Sequence, residues 1–411
     1  MKLRFLLKLT FFFLSYFILN LESQSQNLPE KPLLTTKLFV YDAFNTIMNE
    51  YDLKEAFSKL CELKAGKRKK FTIVHIGDSH LQAGCFTEYF RKELQSFFGN
   101  AGRGIVFPYQ LAKSNAPGDI IFESNNSWNY NRLAHPEIHL LSGISGFMIQ
   151  NNIPSSNVVF NLNNDVSSKN TTFNKIKLFA DIPDGMQWNI KTGDNFIQFA
   201  KSDFNNNQCI SINLSSNVNQ FEIITDSSIN NKTIYGIELE NGNDGLLYHT
   251  IAVNGAQYEQ YNISSNFWNQ LPELQADLYI LSLGTNEAQK SSFDGARFKE
   301  VIDTFLLNIK SISPQASILI TTVADNYKNQ KPGNNEIREI NNFIVRYCDA
   351  RGIPYWDLYK TMGAFGSAKK WNKFQYMSKD RIHFTSAGYI FQANLLYNAF
   401  SKSYNKYSNQ N

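Results

Sequence analysis

The sequence Phe71-Thr-Ile-Val-His-Ile-Gly77-Asp78-Ser79-His80 decides the fold of this chain. Phe71 to Ile76 is a short, apolar and β-branched run, which is typical of a strand buried in a parallel sheet. Gly77-Asp78-Ser79 predicts a tight turn, and apolar residues at helical spacing predict a helix from Leu81 to Phe98. Strand, turn and helix in this order lift a serine hydroxyl to the rim of a sheet, beside the amides of a helix N-terminus. Ser79 is therefore a candidate nucleophile, although a serine at such a turn can also serve only as a helix cap.

The beginning of the chain has the pattern of a secretory signal peptide. Lys2, Arg4 and Lys8 precede the apolar run Leu9–Leu21, and small and polar residues follow up to Gln26. Because this run is short for a membrane span, a cleaved leader over residues 1–26 is favoured over an uncleaved anchor. No later stretch is apolar enough to cross a bilayer. The sequence therefore predicts a secreted or periplasmic protein.

Charge and cysteine usage exclude several classes of function. The 411-residue chain has a formal charge of +4, of which about +2 remains without the leader, so we expect no nucleic-acid partner. The one basic cluster, Lys64–Lys70, is interpreted as a solvated turn after a helix. The four cysteines have no Cys-x-x-Cys spacing, which excludes zinc and thioredoxin-like motifs, and a disulfide is allowed but not indicated.

Residues 125–249 differ in composition from the rest of the chain. They are rich in asparagine, serine and threonine, with short alternating runs such as Asn157–Leu162 and Gln220–Ile224. This pattern predicts an antiparallel β-sandwich, inserted as a domain because loops of such length are improbable inside a compact domain. Its aromatic residues are candidates for a sugar-stacking platform, although aromatics on sandwich strands more often pack in the core. These candidates are Trp128, Tyr130, Trp188, Phe196 and Phe199.

An α/β pattern resumes at residue 250. Predicted strands at Thr250–Val253, Leu278–Leu283, Ser317–Val323 and Gly352–Asp357 alternate with helices, the last from Ser386 to Ser401. This alternation predicts a parallel sheet with right-handed crossovers. The predicted organisation is a leader at 1–26, a first α/β part at 27–124, the sandwich at 125–249 and a second α/β part at 250–411.

Residues after the predicted strands can form an acyl-transfer site, because sites in such sheets lie beyond the carboxyl ends of the strands. Ser79 supplies a hydroxyl, His383 lies in the loop before the last helix, and Asp380 can orient the imidazole from within that loop. The backbone N–H groups of Ser79 and Gly255 and the side-chain amide of Asn286 are the candidate oxyanion donors. This chemistry requires no metal or organic cofactor.

Alternatives to these assignments remain open at the level of sequence. The competing candidates are Gly143 and Gly146 for the role of Gly255, and Asp325 and Asp357 for the role of Asp380. Asn286 can be only a cap at a strand end. Glu287 either holds the oxyanion loop or touches substrate.

Four blocks of the sequence resemble a known family in their order and context. Gly77-Asp78-Ser79, Gly255, Gly284-Thr285-Asn286 and Asp380-x-x-His383 are similar to the blocks of the GDSL/SGNH hydrolases, over residues 70–110 and 250–400. His80, Glu287 and the long β insertion ahead of Gly255 look most like the peptidoglycan O-acetylesterase branch, which carries a carbohydrate-binding-module-like sandwich at this point. His80 in place of leucine and Glu287 in place of aspartate count against a generic lipase.

The resemblance implies a serine esterase that removes acetyl groups from N-acetylmuramic acid in an O-acetylated glycan, namely peptidoglycan. We expect a flavodoxin-like three-layer α/β/α hydrolase domain interrupted by an antiparallel β-sandwich. A glycan O-acetyltransferase with the same triad, and a catalytically inactive glycan-binding protein, are the alternative functions.

Overall fold

The computed structural model describes residues 27–32, 40–134, 141–162, 172–289 and 292–410. The predicted signal peptide at residues 1–26 lies outside the described residues. Within these ranges, no helix combines the length and the apolar character that crossing a bilayer requires. The four cysteines are free thiols.

The strands form a parallel sheet, two antiparallel sheets and a small hairpin. In chain order they are β1 (Ile47–Met48), β2 (Lys70–Gly77), β3 (Gly102–Val106), β4 (Ile120–Glu123), β5 (Asn129–Arg132), β6 (Phe147–Asn151), β7 (Asn157–Leu162), β8 (Phe173–Asp181), β9 (Gln187–Thr192), β10 (Asn195–Ala200), β11 (Cys209–Val218), β12 (Gln220–Ile224), β13 (Lys232–Glu240), β14 (Gly245–Ala252), β15 (Leu278–Ser282), β16 (Ser317–Thr321), β17 (Tyr327–Lys328), β18 (Lys331–Pro332) and β19 (Tyr355–Trp356).

Along the chain, most of the α-helices come between successive strands of the parallel sheet. In chain order they are α1 (Lys54–Lys64), α2 (Ser79–Gln82), α3 (Cys85–Phe98), α4 (Tyr258–Asn262), α5 (Ser265–Gln270), α6 (Thr285–Ala288), α7 (Gly295–Ile312), α8 (Asn335–Asp349), α9 (Leu358–Thr361), α10 (Ala368–Lys373) and α11 (Ser386–Ser408).

The central sheet has the strand order β14-β2-β15-β16-β19, with β1 added at the β19 edge. The first five strands are parallel to their neighbours, and β1 is antiparallel. Numbered by their succession in the chain, the parallel strands have the order 2-1-3-4-5, which is the flavodoxin-like order. The strand order reverses between β2 and β15, and in such sheets ligands bind beyond the carboxyl ends of the strands at this position.

Apolar side chains alternate between the two faces of this sheet and join two buried clusters. On β2, Phe71 and Ile73 pack in one cluster, together with residues of α1, α3 and α11. Val74 and Ile76 pack in the other cluster, together with residues of α7 and α8 and of the antiparallel sheets. Helices therefore cover both faces, and the predicted three-layer α/β/α class is confirmed.

The inserted region is a pair of antiparallel sheets, as the alternating runs predicted. One sheet has the order β10-β9-β12-β7-β4, and the other has the order β11-β8-β13-β6-β5, with β3 also paired to β13. Because β3 and β4 precede residue 125, and β14 joins the parallel sheet from Gly245, sheet membership favours an insertion of about residues 102–244. The predicted strand at Thr250–Val253 was too short, because β14 begins at Gly245, where its pairing with Lys70 of β2 starts.

The predicted helix from Leu81 to Phe98 was also wrong in one respect. The structure breaks it into α2 and α3 at Gly84, whose φ of +83° places it in the left-handed region. A Cβ atom on Gly84 would lie 2.9 Å from the Cβ of Pro117, so only glycine fits both the backbone conformation and the space. The break gives Ser79 its own short helical turn.

Candidate active site

Ser79 begins α2 directly after the carboxyl end of β2. Asp78 caps this turn by accepting a hydrogen bond from the His80 N–H at 3.0 Å. A Cβ atom on the preceding Gly77 would lie 2.9 Å from the Ser282 carbonyl oxygen, so the close approach of β2 and β15 requires glycine there. Because α2 has only four residues, its macrodipole is small.

The loop Asp380–His383 folds around one carboxylate. Asp380 Oδ1 accepts hydrogen bonds from the backbone N–H groups of Ile382 and His383, each at 2.9 Å. Asp380 Oδ2 lies 2.7 Å from His383 Nδ1. The carboxylate can only accept, so Nδ1 carries the proton and Nε2 is left as an acceptor.

The structure brings this loop to Ser79, although 304 residues separate the two partners. Ser79 Oγ lies 2.8 Å from His383 Nε2, within donating distance of the free imidazole nitrogen. The side chains of His383 and Asp380 are 35% and 49% exposed, so the site is open to solvent. The arrangement can therefore transfer a proton from the serine hydroxyl to the imidazole while a substrate approaches from outside.

Burial and hydrogen bonding have opposite effects on the pKa of the Asp380 carboxyl. Partial burial raises the pKa of its carboxyl, but the hydrogen bonds from the His383 ring and from two backbone N–H groups outweigh it, and the net pKa is below the ordinary value. Asp380 is therefore ionised at neutral pH and can stabilise a cationic imidazole.

His80 packs against His383, a contact that the sequence did not predict. The two ring centroids are 5.1 Å apart, and His80 Nδ1 lies 3.0 Å from the Tyr389 hydroxyl. Burial lowers the pKa of His80 to about 3, so this ring is neutral and adds no positive charge beside His383. Asp78 is also buried, which raises its pKa to about 6.

The three predicted oxyanion donors lie on neighbouring strand ends. Gly255 follows β14 with a φ of +83°, a left-handed conformation that favours glycine. Asn286 follows β15, and its Nδ2 donates to the Ala256 carbonyl at 2.9 Å while lying 3.5 Å from Asp78 Oδ2. The first contact holds the amide beside the Gly255 turn, and the second is long enough that an oxyanion can compete for that hydrogen.

Side chains that the sequence did not single out hold this turn in place. Gln82 is buried on α2, and its Oε1 accepts from the Asn254 N–H at 2.6 Å. Its Nε2 donates to the Ser114 hydroxyl and to the Asn115 carbonyl, at 2.7 and 2.9 Å. The spacing of Gln82 from Ser79, one helical turn, was the available signal for this contact.

Glu287 holds the same turn from the other side. Its Oε1 accepts from the backbone N–H of Tyr258, which begins α4, at 3.0 Å. Of the two roles that the sequence left open for Glu287, the geometry favours support of the loop.

The competing glycines use their N–H groups within their own turn. The Gly143 N–H donates to the Phe147 carbonyl at 3.0 Å, and the Gly146 N–H donates to the Gly143 carbonyl at 2.9 Å. A Cβ on Gly143 would lie 2.3 Å from the Cβ of Tyr235, so this turn is packed against the sandwich. The geometry therefore favours Gly255 as the oxyanion donor.

The competing aspartates have structural partners instead of an imidazole. Asp325 Oδ2 accepts from the Ala368 N–H at 2.9 Å. Asp357 caps α9 by accepting from the Lys360 N–H at 3.0 Å and from the Thr322 hydroxyl at 2.9 Å. Neither contacts His383 among the hydrogen bonds of the described residues.

The aromatic candidates of the insertion are mostly core residues. Trp128, Trp188 and Phe199 are buried, and the Trp188 indole donates to Asp226 Oδ2 at 2.8 Å. Tyr130 is half-buried, whereas Phe196 is 59% exposed, with the Lys191 ammonium 5.6 Å from its ring centroid. Phe196 is the only one of these five aromatic side chains that is exposed.

Comparisons with known proteins are consistent with this geometry. Residues 235–390 match the model of the GDSL-like Lipase/Acylhydrolase family. A solved structure described as "Peptidoglycan O-acetylesterase in action" is 23% identical and aligns with a TM-score of 0.72, covering 86% of this chain and 96% of its own. No curated protein matches the chain in a sequence search.

Two other solved structures align with this chain with low scores. A lipase/acylhydrolase from Enterococcus faecalis is 18% identical, covering 39% of this chain and 77% of its own, with a TM-score of 0.30. A family two carbohydrate esterase from Cellvibrio japonicus is 12% identical, covering 70% of this chain and 100% of its own, with a TM-score of 0.29. Scores of this size carry no argument about the overall fold. The resemblance predicted from the sequence is nevertheless confirmed: residues 235–390 match the GDSL-like lipases and acylhydrolases, and the chain shares its fold with a peptidoglycan O-acetylesterase.

Proposed function

We propose that this chain is a serine esterase that hydrolyses O-acetyl groups of a cell-wall glycan through an acetyl-enzyme on Ser79. The observation that carries the proposal is the array Asp380–His383–Ser79, with contacts of 2.7 and 2.8 Å at the carboxyl edge of the sheet. A nucleophile, a base and a group that orients the base are the parts that acyl transfer needs.

In this mechanism the Ser79 oxygen attacks the acetyl carbonyl while His383 Nε2 takes the hydroxyl proton. The Ser79 and Gly255 N–H groups and the Asn286 amide stabilise the oxyanion, each typically by about 3 kcal/mol. The intermediate collapses when the protonated His383 gives its proton to the leaving sugar oxygen. A water then loses a proton to the same imidazole and attacks the acetyl carbonyl. The bond between the acetyl carbon and the Ser79 oxygen breaks, the imidazolium returns its proton to that oxygen, and acetate is released.

The choice of a cell-wall glycan is supported by the fold shared with a peptidoglycan O-acetylesterase and by the inserted pair of antiparallel sheets, which the sequence resemblance associates with that branch of the family. A polymeric cell-wall substrate suits an open site, and it agrees with the predicted leader and a secreted or periplasmic location. Acetyl groups are small, so the reaction requires no deep acyl channel.

The decisive experiment measures acetate release from O-acetylated peptidoglycan by the natural protein and by Ser79→Ala. We expect the substitution to abolish release while thermal unfolding is unchanged, because the hydroxyl is the nucleophile. Mass analysis of the glycan with an added acceptor distinguishes hydrolysis from transfer to a sugar hydroxyl. Acetate release by Ser79→Ala at the natural rate would contradict the proposal, and labelling of Ser79 by a phosphonate distinguishes an active enzyme from an inactive binding protein.

A further inference from the structure

A second basic region lies beside the candidate catalytic loop. Residues 363–383 contain five lysines and arginines and one acid, so this segment carries a formal charge of +4, equal to that of the whole chain. Lys369 and Lys370 are adjacent, and aromatic and polar residues separate them from Lys373 and Lys379. We call the surface formed by Lys369, Lys370, Lys373 and Lys379 the lysine flank.

Packing holds the lysine flank against the site. Asp325, which follows β16 at the sheet edge, accepts from the Ala368 N–H at the start of α10. Trp371 on the same helix is buried, and its ring packs on Phe384 with centroids 5.6 Å apart. Phe384 directly follows His383, so α10 supports the loop that carries the imidazole.

The four side chains of the lysine flank are exposed, and none of them forms an ion pair with another residue that the structure describes. Lys369, Lys370 and Lys373 lie on one face of α10, since residues three and four apart are neighbours on a helix. Like charges at this spacing destabilise a helix, and no carboxylate of the described residues forms an ion pair with them. Asp380, the acid of the segment, has its oxygens engaged with His383 and the loop backbone.

The predicted basic cluster Lys64–Lys70 is only partly paired and lies elsewhere in the fold. Arg68 pairs with Asp277 at 2.7 Å, and Lys70 pairs with Glu240 at 2.9 Å. These cations precede β2 and therefore lie at the amino edge of the sheet, away from the site. They provide a control region with similar composition.

Exposed aromatic rings lie within the same segment. Phe365 and Phe374 flank α10 in sequence, and each is 46% exposed. Flat apolar faces next to cations suit a sugar chain that bears anionic substituents.

We infer that the lysine flank docks the carboxylate groups of peptidoglycan peptides while an acetylated sugar of the same strand enters the site. This inference rests on the proposed function and narrows its substrate to a carboxylate-bearing glycan. Complementary charge at this position raises the rate of encounter and sets the register of the strand relative to Ser79.

The test compares two triple variants in a Ser79→Ala background, which binds without turnover. Lys369→Gln/Lys370→Gln/Lys373→Gln alters the flank, and Lys64→Gln/Lys67→Gln/Lys69→Gln removes the same charge from the control region. Binding to peptidoglycan sacculi is measured by sedimentation, before and after the sacculus carboxylates are converted to neutral amides. We expect the flank variant to bind about tenfold more weakly, the control variant to bind normally, and amidation to remove the difference.

Kinetics with Ser79 present give a second measurement. The flank variant should raise KM for acetate release from sacculi about tenfold, and leave the hydrolysis of 4-nitrophenyl acetate, which is neutral, unchanged. Equal binding by all proteins, equal weakening by both triple variants, or no effect of amidation would overturn the inference. If sacculi bind through the flank but the natural protein releases no acetate, the docking surface stands and the proposed esterase function fails.

Discussion

Replacing Asp380 tests whether the loop Asp380–His383 acts as part of a catalytic triad. The carboxylate accepts from the imidazole Nδ1 at 2.7 Å and from two backbone N–H groups at 2.9 Å. A hydrogen bond to a charged group contributes about 1.5–3 kcal/mol. At about 1.4 kcal/mol per tenfold change in rate, its loss lowers kcat/KM by roughly 10- to 150-fold.

The solvent exposure of Asp380 determines where in this range the loss of kcat/KM lies. In a buried serine–histidine–aspartate triad the loss of the carboxylate costs about 10⁴ in kcat. Asp380 is 49% exposed, so water partly replaces its interaction with the imidazolium that forms during the reaction. We therefore expect Asp380→Ala to lower kcat/KM by about 10- to 100-fold.

The substitution Asp380→Asn distinguishes two roles of this residue: setting which nitrogen of His383 carries the proton, and holding the shape of the loop. An asparagine oxygen can still accept from the Ile382 and His383 N–H groups, but its NH₂ then faces Nδ1. The ring would carry its proton on Nε2, which faces Ser79, and could not take the hydroxyl proton. Asp380→Asn should therefore be at least as inactive as Asp380→Ala while unfolding at a temperature closer to that of the natural protein.

The assay is steady-state hydrolysis of 4-nitrophenyl acetate, with thermal unfolding of each variant as the control. Activity within twofold of the natural protein for either variant would refute a role for Asp380 in orienting His383. If Asp380→Asn were clearly more active than Asp380→Ala, the role of residue 380 would be to hold the shape of the loop and not to set the tautomer of the imidazole.

Two further substitutions test the oxyanion site and the support of the sheet edge. Asn286→Ala should lower kcat by about 10²–10³-fold with little change in KM, because the amide stabilises charge that exists only in the transition state. If the variant unfolds normally and keeps more than half of the natural activity, Asn286 is not an oxyanion donor. Burial raises the pKa of Asp325 to about 6, and hydrogen bonds from the backbone at Ala368 only partly offset it. The folded state then holds this proton more tightly than the unfolded state, so the contribution of Asp325 to stability is fully present below about pH 4 and is lost as the pH rises through 6. Between pH 4 and 7, the natural protein should lose up to about 3 kcal/mol of unfolding free energy relative to Asp325→Asn; parallel urea-unfolding profiles of the two proteins across this range would contradict the assignment.

Local patterns predicted the regular elements well where one face of the chain is buried. β7 and β12 have the limits that their alternation predicted, and α11 begins at the predicted Ser386, where Thr385 caps it by accepting from the Gly388 N–H. The break at Gly84 was missed because it depends on Pro117, which approaches from a distant loop. The start of β14 was missed because its register is set by pairing with β2 and not by its own composition.

The candidate site shows the same division. Asp380 and His383 are three residues apart in one loop, so their spacing in the sequence was enough to predict that contact. The hydrogen bond of the Gly143 N–H within its own turn, the hydrogen bond between Gln82 and Asn254 and the packing of His80 on His383 depend on residues from separate elements. No local pattern carries that information.

By itself, the sequence determined the strand–turn–serine unit, the alternation of strands and helices, and the sandwich character of the insertion, because hydrophobic periodicity and turn residues act over a few positions. Only the tertiary structure decided that Ser79 meets His383 across 304 residues, and that the helix carrying Lys369, Lys370 and Lys373 packs against Phe384, which follows His383. The physical reason is that such contacts depend on strand order and on the burial of both sheet faces, which are properties of the whole chain.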